Sequence, residues 1–425
     1  MSESENPYHT VTIHSLTKRG EGIASVEGVD LTIPFALPHE VVEIEERFKT
    51  RTSKWGKLLE VKEASPDRVK APCPHFGTCG GCLLQHFSSK TYEAYKKSLV
   101  VNALEAHGIE TSLVSDPIIV GAGQRRRIDF MARKWDGELK MGFHEAESKK
   151  PFNLRTCSLI HPDILPLFEP LREVIAPFLE HEKLIHFFVT RAQNGLDVLL
   201  AGFKEPLSAD RETALIDLAK DLGIIRLAYK VKKREKILYF TETPTVRFGN
   251  HDVEVTAFGF LQATEASDQI FAQFLEKHLP FERNSQDTLI DLFCGRGTLS
   301  LALTKLGHSV TGIECDGQAL RALQKVEEPL LKIQERNLFE TPLMRSELDG
   351  IKAVVMNPPR AGAETQTHEI AHSSIRKLVY ISCNAESFAR DSKYLMEHGF
   401  KLHEIVPVDQ FMWTPHIEIM AYLER

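Results

Sequence analysis

The 425-residue chain lacks an apolar run long enough to cross a membrane, and its residues 1–5 are acidic and polar. A membrane span needs about 20 predominantly apolar residues, and a secretory signal starts with basic residues ahead of an apolar run. Cysteines are few and odd in number, seven in all, which argues against a disulfide framework. These absences predict a cytoplasmic protein that has no membrane partner.

The chain also lacks an excess of positive charge, because its formal net charge is −7. Phosphate contacts need clustered cations, however, and not a high mean charge. Three basic clusters are present, at residues 47–57, 125–127 and 230–236, and the first also contains Phe48 and Trp55. Each cluster alone is typical of a solvated surface, but three together indicate a nucleic-acid partner.

Chain length and pattern predict about three domains, at ~150 residues each, in a protein expected to be a monomer. Residues 1–66 carry short alternating apolar runs separated by glycines, which predicts an OB-like β-barrel. Residues 67–255 contain three clustered cysteines, a helix near 91–108 and a mostly β pattern with a hairpin signal at Asn194-Gly195. Strands and helices alternate over residues 256–425, which predicts a multidomain α/β protein with a doubly wound parallel sheet.

A glycine-rich turn at residues 291–297 lies between a predicted strand and a predicted helix. Gly295 and Gly297 let the backbone pass close to a ligand, and Glu314, at the end of the next strand, can accept hydrogen bonds from ribose hydroxyls. The lysine of a phosphate-binding loop is missing, and Ser300 replaces the third glycine of a dinucleotide fingerprint. A nucleoside cofactor without a pyrophosphate is therefore favoured, and S-adenosylmethionine fits.

Cys383 follows an apolar run that is predicted to form a buried strand. A thiol at the carboxyl end of a strand in an open α/β sheet lies where ligands bind. Free cysteine is also a common small buried residue, so this position alone does not establish a nucleophile. Another predicted strand, at residues 353–356, comes earlier in the chain and leads into Asn357. Pro358 and Pro359 follow Asn357 and can hold it at the edge of the sheet.

The glycine turn, the acidic strand end, and the runs 357–360, 382–384 and 416–418 occur in this order. This arrangement resembles the RNA (uracil-5-)methyltransferase family, especially its iron–sulfur-containing 23S ribosomal RNA branch, over nearly the whole chain. The resemblance implies an N-terminal TRAM barrel, a central RNA-binding domain and a Rossmann-like methyltransferase domain, with the helix near 91–108 packed on the last. Asn357 stands where the family usually has Asp, and Thr298 where Asn is frequent.

The resemblance implies methyl transfer from S-adenosylmethionine to C5 of a uridine in RNA. Cys383 would add to C6 as the nucleophile, and Glu418 would act as the base that removes the C5 hydrogen. Phe260 is a candidate stacking partner for the target base. The implied cofactor-binding residues are Gln262, Phe293, Thr298, Glu314, Asn337 and Asn357.

Four further cysteines, Cys73, Cys79, Cys82 and Cys157, offer thiolates for a metal site. Their spacing alone fits structural zinc and an iron–sulfur cluster about equally. The resemblance implies a [4Fe-4S] cluster. Methyl transfer to C5 needs no electron, so the expected role of this cluster is structural or in shaping the RNA site.

Three alternatives remain from the sequence. The substrate can be transfer RNA instead of 23S ribosomal RNA. The reaction can be methylation of an exocyclic amine, which Asn357-Pro358-Pro359 would serve without a cysteine. The chain can also be a non-catalytic RNA-binding factor, although the presence of both Cys383 and Glu418 favours an enzyme.

Overall fold

A computed structural model of the chain describes residues 7–48, 54–180, 184–280 and 288–425. The chain forms two compact units, and each unit contains segments that are distant in sequence. The first unit comprises Met1–Leu99, His144–Lys150 and Trp413–His416, and the second comprises Val100–Phe143, Pro151–Met412 and Ile417–Arg425. The domain boundaries at residues 66 and 255 stay predictions. No helix in the described ranges is long and apolar enough to span a membrane.

The first unit contains a six-stranded sheet with the order β1-β5-β6-β4-β3-β2. Its strands are β1 (Tyr8–Thr12), β2 (Ser15–Leu16), β3 (Gly22–Val26), β4 (Val29–Ile33), β5 (Val41–Phe48) and β6 (Lys54–Glu63). Alternate residues point to one side, so Leu31 and Ile33 of β4 pack with Val42 and Ile44 of β5 in one small core. A long helix, α1 (Ser89–Ala106), begins in this unit. The TRAM barrel itself stays a prediction.

The second unit contains a six-stranded sheet with the order β13-β12-β11-β10-β8-β9. Up to residue 254 its elements are β7 (Ile118–Ile119), β8 (Arg127–Trp135), β9 (Glu138–Gly142), α2 (Phe168–Ile175), β10 (Ile185–Ala192), β11 (Gly195–Phe203), α3 (Ala209–Asp221), β12 (Ile224–Val231), β13 (Arg234–Phe240), β14 (Thr245–Phe248) and β15 (His251–Glu254), with 3₁₀ helices at Leu165–Leu167 and Ala176–Glu180. The predicted hairpin is confirmed, because Ala192 of β10 pairs with Gly195 of β11. Helices α2 and α3 cover one face of this sheet.

The same unit contains an eight-stranded sheet with the order β18-β17-β16-β19-β20-β22-β21-β7. Its further elements are α4 (Glu265–His278), β16 (Thr288–Leu292), α5 (Thr298–Leu306), β17 (Ser309–Glu314), α6 (Gly317–Gln324), β18 (Leu331–Glu335), β19 (Ile351–Met356), α7 (Glu364–Ala371), β20 (Lys377–Ser382), α8 (Ala385–Glu397), β21 (Lys401–Asp409) and β22 (Glu418–Glu424), with a 3₁₀ helix at Arg345–Leu348. The four predicted strands of this region are confirmed as β16, β17, β19 and β20. Strand β7 is an unpredicted edge strand, paired with β21.

The large sheet is mixed rather than wholly parallel, which corrects the sequence-based expectation. Strands β16 to β20 pair in parallel, but β22 runs antiparallel to both β20 and β21. Strands β21 and β22 are joined by a short loop, and a parallel pair would require a longer crossover connection. The chain order reverses at β16, which lies between β17 and β19. Ligands of open α/β sheets bind at the carboxyl ends of strands at such a reversal.

Helices lie on both faces of this sheet and hold the carboxyl ends of its strands in place. On one face, Phe271 of α4 and Leu299 of α5 pack with Val379 and Ile381 of β20. On the other face, Tyr380 of β20 contacts Phe388 of α8, with ring centroids 5.3 Å apart. Strand β20 is therefore buried on both sides, as its continuous apolar sequence predicts.

Candidate active site

The glycine turn after β16 and the end of β17 form one side of the candidate site. Gly295 and Gly297 both have positive φ, 55° and 87°, which glycine adopts without strain. The Glu314 carboxylate accepts hydrogen bonds from the backbone N–H groups of Gly295 (3.0 Å), Cys315 (2.7 Å) and Asp316 (2.9 Å). The protein therefore holds this carboxylate in a fixed orientation on the turn, as a ribose-binding group requires.

A buried carboxyl, which sequence reasoning missed, lies behind this turn. Asp291 is fully buried at the end of β16, and burial raises its pKa to about 7. Its Oδ2 accepts the Ser300 hydroxyl at 2.5 Å, whereas its Oδ1 has no hydrogen-bond partner among the described residues. A buried acceptor without a partner is costly, so this atom fits a donor supplied by a ligand or by an ordered water.

Two aromatic rings stand beside the turn. Phe293 has an unusual positive φ of 61°, and its ring centroid lies 5.4 Å from that of Phe339, which is 50% exposed. The Asn337 side-chain oxygen accepts the backbone N–H of Phe339 at 3.1 Å, and Arg336 N donates to Glu314 O at 2.8 Å. Three predicted cofactor residues, Phe293, Glu314 and Asn337, are thus connected by contacts beside the turn, next to the pair of aromatic rings. Such rings can stack on the adenine ring of a nucleoside.

Asn357 and Thr298 lie next to the same turn. Asn357 follows β19, is half-buried, and donates its backbone N–H to Leu292 O of β16 at 3.3 Å. Thr298 is the first residue of α5 and is also half-buried. The structure therefore brings the turn, Glu314, Asn337, Asn357 and Thr298 to the carboxyl ends of neighbouring strands, and their assignment to a cofactor stays a prediction.

Cys383 and Glu418 lie at the same end of two paired strands. Ser382 of β20 pairs with Ile419 of β22, so the next residue along β20 and the preceding residue of β22 are neighbours. Glu418 is buried, and that burial raises its pKa to about 7, although a hydrogen bond with Gln410 opposes the rise. The pKa of Cys383 is raised by partial burial and by the charge of Glu418, while Arg360 lowers it.

The loop around Cys383 is anchored to the Asn-Pro-Pro-Arg segment after β19. The Asn384 side chain donates to Arg360 O at 2.9 Å, and its oxygen caps α8 by accepting Glu386 N at 3.1 Å. Ser387 Oγ donates to the same Arg360 carbonyl at 3.3 Å. Cys383 immediately precedes the N-cap residue of the 13-residue helix α8, and the positive amino end of that helix acts against the rise in the pKa of Cys383.

A glutamine pair joins the candidate base to the segment that precedes α4. Gln410 Nε2 donates to Gln262 Oε1 at 2.7 Å, and Gln410 Oε1 accepts Ala263 N at 3.0 Å and Ser267 Oγ at 2.9 Å. Gln410 is 5% exposed and also hydrogen-bonds to Glu418. It therefore connects two predicted residues, Gln262 and Glu418, that are distant in sequence. Sequence reasoning missed Gln410, and its position directly after a strand is the only local signal.

Comparison with known proteins identifies the chain. The tRNA (Uracil-5-)-methyltransferase family matches residues 335–425, and the Methyltransferase small domain matches residues 263–379. An uncharacterized RNA methyltransferase of Agrobacterium fabrum is 36% identical over 98% of this chain and 99% of its own length. The 23S rRNA (uracil(1939)-C(5))-methyltransferase RlmD of Pectobacterium atrosepticum is 30% identical over 97% of this chain and 92% of its own. The chain belongs to the RNA (uracil-5-)methyltransferase family.

This methyltransferase also shares its fold with a solved structure. The Pyrococcus abyssi tRNA (uracil-54, C5)-methyltransferase, in complex with S-adenosyl-L-homocysteine, superposes with a TM-score of 0.74 at 22% identity. The match covers 97% of this chain and 99% of the other. The protein is an S-adenosylmethionine-dependent RNA methyltransferase, as the family and its relatives show.

The four cysteines expected to bind a cluster are half-buried in the methyltransferase. Cys73, Cys79 and Cys82 belong to the first compact unit, and Cys157 belongs to the second. Over the described parts of the chain, no three His, Cys, Asp or Glu side chains are arranged to hold a metal ion. The structure thus does not support the [4Fe-4S] cluster, which stays a prediction.

Fewer cations of the three basic clusters are free to contact a nucleic acid than the sequence suggests. Arg126, at the centre of the second cluster, is 4% exposed, because it donates to Asp268 Oδ2 at 2.6 Å and to Gln262 O at 3.0 Å. Arg126 is therefore held inside the protein by these contacts and is not part of an exposed basic surface. In the third cluster, Lys236 is engaged with Glu212 at 2.6 Å. Residues 49–53 of the first cluster lie outside the described residues.

Proposed function

We propose that the enzyme methylates C5 of a uridine in 23S ribosomal RNA. The adjacency of Cys383 and Glu418 at one end of β20 and β22 carries the proposal, because C5 methylation needs both a nucleophile and a base. The ribosomal substrate is supported by the relative from Pectobacterium atrosepticum, whose name specifies 23S rRNA and whose sequence covers almost the whole chain. S-adenosylmethionine supplies an electrophilic methyl group when it is bound.

In the proposed mechanism, the Cys383 thiolate donates an electron pair to C6 of the uracil and forms a C–S bond. The electrons of the C5–C6 double bond would then reside on an enolate, whose nucleophilic C5 would accept the methyl group that S-adenosylmethionine supplies, and the methyl–sulfonium electron pair would stay on the sulfur of the cofactor. Glu418 removes the proton from C5, the double bond re-forms, and the C–S bond breaks to return the electron pair to Cys383. No step requires an electron from another group.

The protonation states of the two groups are coupled in this mechanism. The charge of Glu418 raises the pKa of Cys383, and the pKa of Glu418 itself is about 7. Glu418 must be ionised to take the C5 proton, and the same negative charge disfavours the Cys383 thiolate, so the two roles oppose each other. Because the pKa of Glu418 is about 7, both protonation states of this carboxyl are populated near neutral pH.

The proposed chemistry is tested with RNA that contains 5-fluorouridine, labelled S-adenosylmethionine and matched variants. Fluorine at C5 cannot leave as a proton, so the wild type should accumulate a covalent protein–RNA complex that carries the label. Cys383→Ala should form no complex, and Met344→Ala, at an exposed residue of the same unit, should form it normally. Methyl transfer that survives in Cys383→Ala would instead indicate amino-group methylation, and no transfer to any RNA would indicate a non-catalytic RNA-binding factor.

The second candidate substrate is transfer RNA. The description of the family that matches residues 335–425 favours it, since that description specifies tRNA. Mapping 5-methyluridine in ribosomal and transfer RNA from cells that lack the protein distinguishes the two. Loss of one 5-methyluridine from 23S rRNA supports the proposal, and loss from transfer RNA alone contradicts it.

The resemblance to the family also supports proposals for the cofactor site, the cluster and the domains, and a monomer is expected from the sequence. We assign Gln262, Phe293, Thr298, Glu314, Asn337 and Asn357 to the cofactor site. The [4Fe-4S] cluster on Cys73, Cys79, Cys82 and Cys157 is tested by iron and sulfide content after anaerobic purification, with Cys315→Ala as the control for variants of the four. A monomer, a TRAM domain over residues 1–66 and a central domain over residues 67–255 complete the proposal.

A further inference from the structure

The central sheet of β8–β13 presents a second face that its helices do not cover. Phe187 of β10 points toward α2 and α3, where it belongs to the main core. Its neighbour Phe188 points to the opposite face, because successive residues of a strand alternate, and it packs with Leu199, Ala228 and Ala257. This opposite face of the sheet, together with the loop of residues 254–260 that crosses it, is here called the open face.

A phenylalanine ring on the open face is held between another ring and a lysine. Phe258, in the crossing loop, has its centroid 4.2 Å from that of Phe188, and Lys230 Nζ lies 3.7 Å from the Phe258 centroid. Phe258 nevertheless remains 38% exposed. An exposed ring with an ammonium beside it can stack on a base while the cation contacts the neighbouring phosphate.

Further apolar and basic side chains extend this surface toward the edge of the sheet. Ile237 and Phe240 of the edge strand β13 are each 52% exposed, and their pairing with Ala228 and Arg226 of β12 places them on the open face. The exposed residues 232–234 form a basic turn next to Lys230, although Glu235 also lies 3.8 Å from Lys230. This is the third basic cluster of the sequence, and the reaction chemistry makes no use of it.

Three arginines fix the loop that carries Phe258. Arg296 Nη1 donates to Glu254 O at 2.8 Å, Arg226 Nη2 donates to Val255 O at 3.1 Å, and Arg127 Nη2 donates to Phe258 O at 3.2 Å. A Cβ at Gly259 would lie 2.1 Å from Arg296 Nη2, so any larger residue there would require this guanidinium to move. The ring is therefore held in place before any ligand binds, which lowers the entropic cost of binding.

We infer that the open face binds single-stranded RNA next to the target uridine, with a base stacked on Phe258 and a phosphate on Lys230. The crossing loop continues through the exposed Phe260 to Gln262, which Gln410 joins to Glu418, so a strand on this face leads to the candidate site. The combination of rings and cations matches RNA better than an apolar protein partner. This inference rests on the proposed function.

The test measures binding of the full-length enzyme to a fluorescein-labelled single-stranded RNA of mixed sequence, at several salt concentrations. Phe258→Ala should weaken binding on the order of tenfold, whereas Phe258→Tyr, which keeps the ring, should bind like the wild type. Lys230→Met should reduce the slope of log K against log salt by about 0.7. Met344→Ala, at an exposed apolar residue elsewhere in the unit, is the matched control and should change nothing.

Unchanged affinity and salt slope in both Phe258→Ala and Lys230→Met would overturn the inference. The open face would then be expected to bind a protein partner instead of RNA. The two variants alter the ring and the charge separately, so misfolding of one does not decide the test. Wild-type methylation of RNA is measured in parallel. If the wild type methylates RNA but the variants bind normally, RNA binding by the open face is contradicted and the proposed function stands. If no RNA is methylated but Phe258→Ala weakens binding, the open face binds RNA and the proposed function is contradicted.

Discussion

The buried carboxyl of Glu418 has a consequence for stability that can be measured apart from catalysis. Its pKa rises from 4.5 to about 7 because folding removes it from water. Below pH 4.5 the group is protonated in both the folded and the unfolded chain, so its ionisation does not change the free energy of unfolding. Between pH 4.5 and about 7 only the unfolded chain releases the proton, so the free energy of unfolding decreases as pH rises.

The expected change in the free energy of unfolding follows from the pKa shift of Glu418. Each pH unit of pKa difference corresponds to about 1.4 kcal/mol, so the full effect above pH 7 is about 3 kcal/mol. Glu418→Gln retains the shape but cannot ionise, so the variant should be more stable than the wild type at pH 8 and nearly equal to it at pH 4.5. For a unit of this size that difference corresponds to a rise in Tm of roughly 5 °C at pH 8.

Thermal unfolding of the wild type and Glu418→Gln at both pH values measures the effect. Glu397→Gln, at an exposed glutamate near the end of α8, is the matched control and should show no pH-dependent difference. A Tm difference for Glu418→Gln that is the same at pH 4.5 and pH 8 would refute the reasoning. The same variant also tests the mechanism, since it should accumulate a methylated covalent RNA adduct; ordinary turnover would exclude Glu418 as the base.

Three further variants probe the site. Gln410→Met removes the hydrogen bond that lowers the pKa of Glu418, so the acid limb of the single-turnover pH–rate profile should move up by about one pH unit, and an unmoved limb would contradict the role of Gln410. Glu314→Gln weakens the anchored ribose acceptor and should raise the KM for S-adenosylmethionine about tenfold with little change in kcat, which steady-state kinetics checks. Gly297→Ala places a Cβ 2.6 Å from Leu323 Cδ1 at a φ of 87°, so it should cost about 1–3 kcal/mol of stability, and a normal Tm would exclude that strain.

The local sequence was sufficient to predict the secondary-structure elements that have a continuous apolar run or a clear turn signal. The apolar run before Cys383 predicts β20, since a strand buried on both faces has no polar alternation, and the glycine turn predicts the start of α5. Strand β7 was not predicted, because two residues carry no periodicity and pair with β21 only through the tertiary fold. The antiparallel β22 was also missed, because strand direction depends on the connection and not on the strand's own residues.

By itself, the sequence determined the residue types of the proposed reaction and the order of the motifs that identify the family. These depend on side-chain chemistry and short-range spacing, and Cys383, Glu418 and the glycine turn can be read without a structure. Only the tertiary structure decided that β22 brings Glu418 beside Cys383, that Gln410 connects Glu418 to Gln262, and that Arg126 is buried. Burial and long-range pairing arise when distant segments pack together, and the local pattern of one segment does not identify the segment against which it packs.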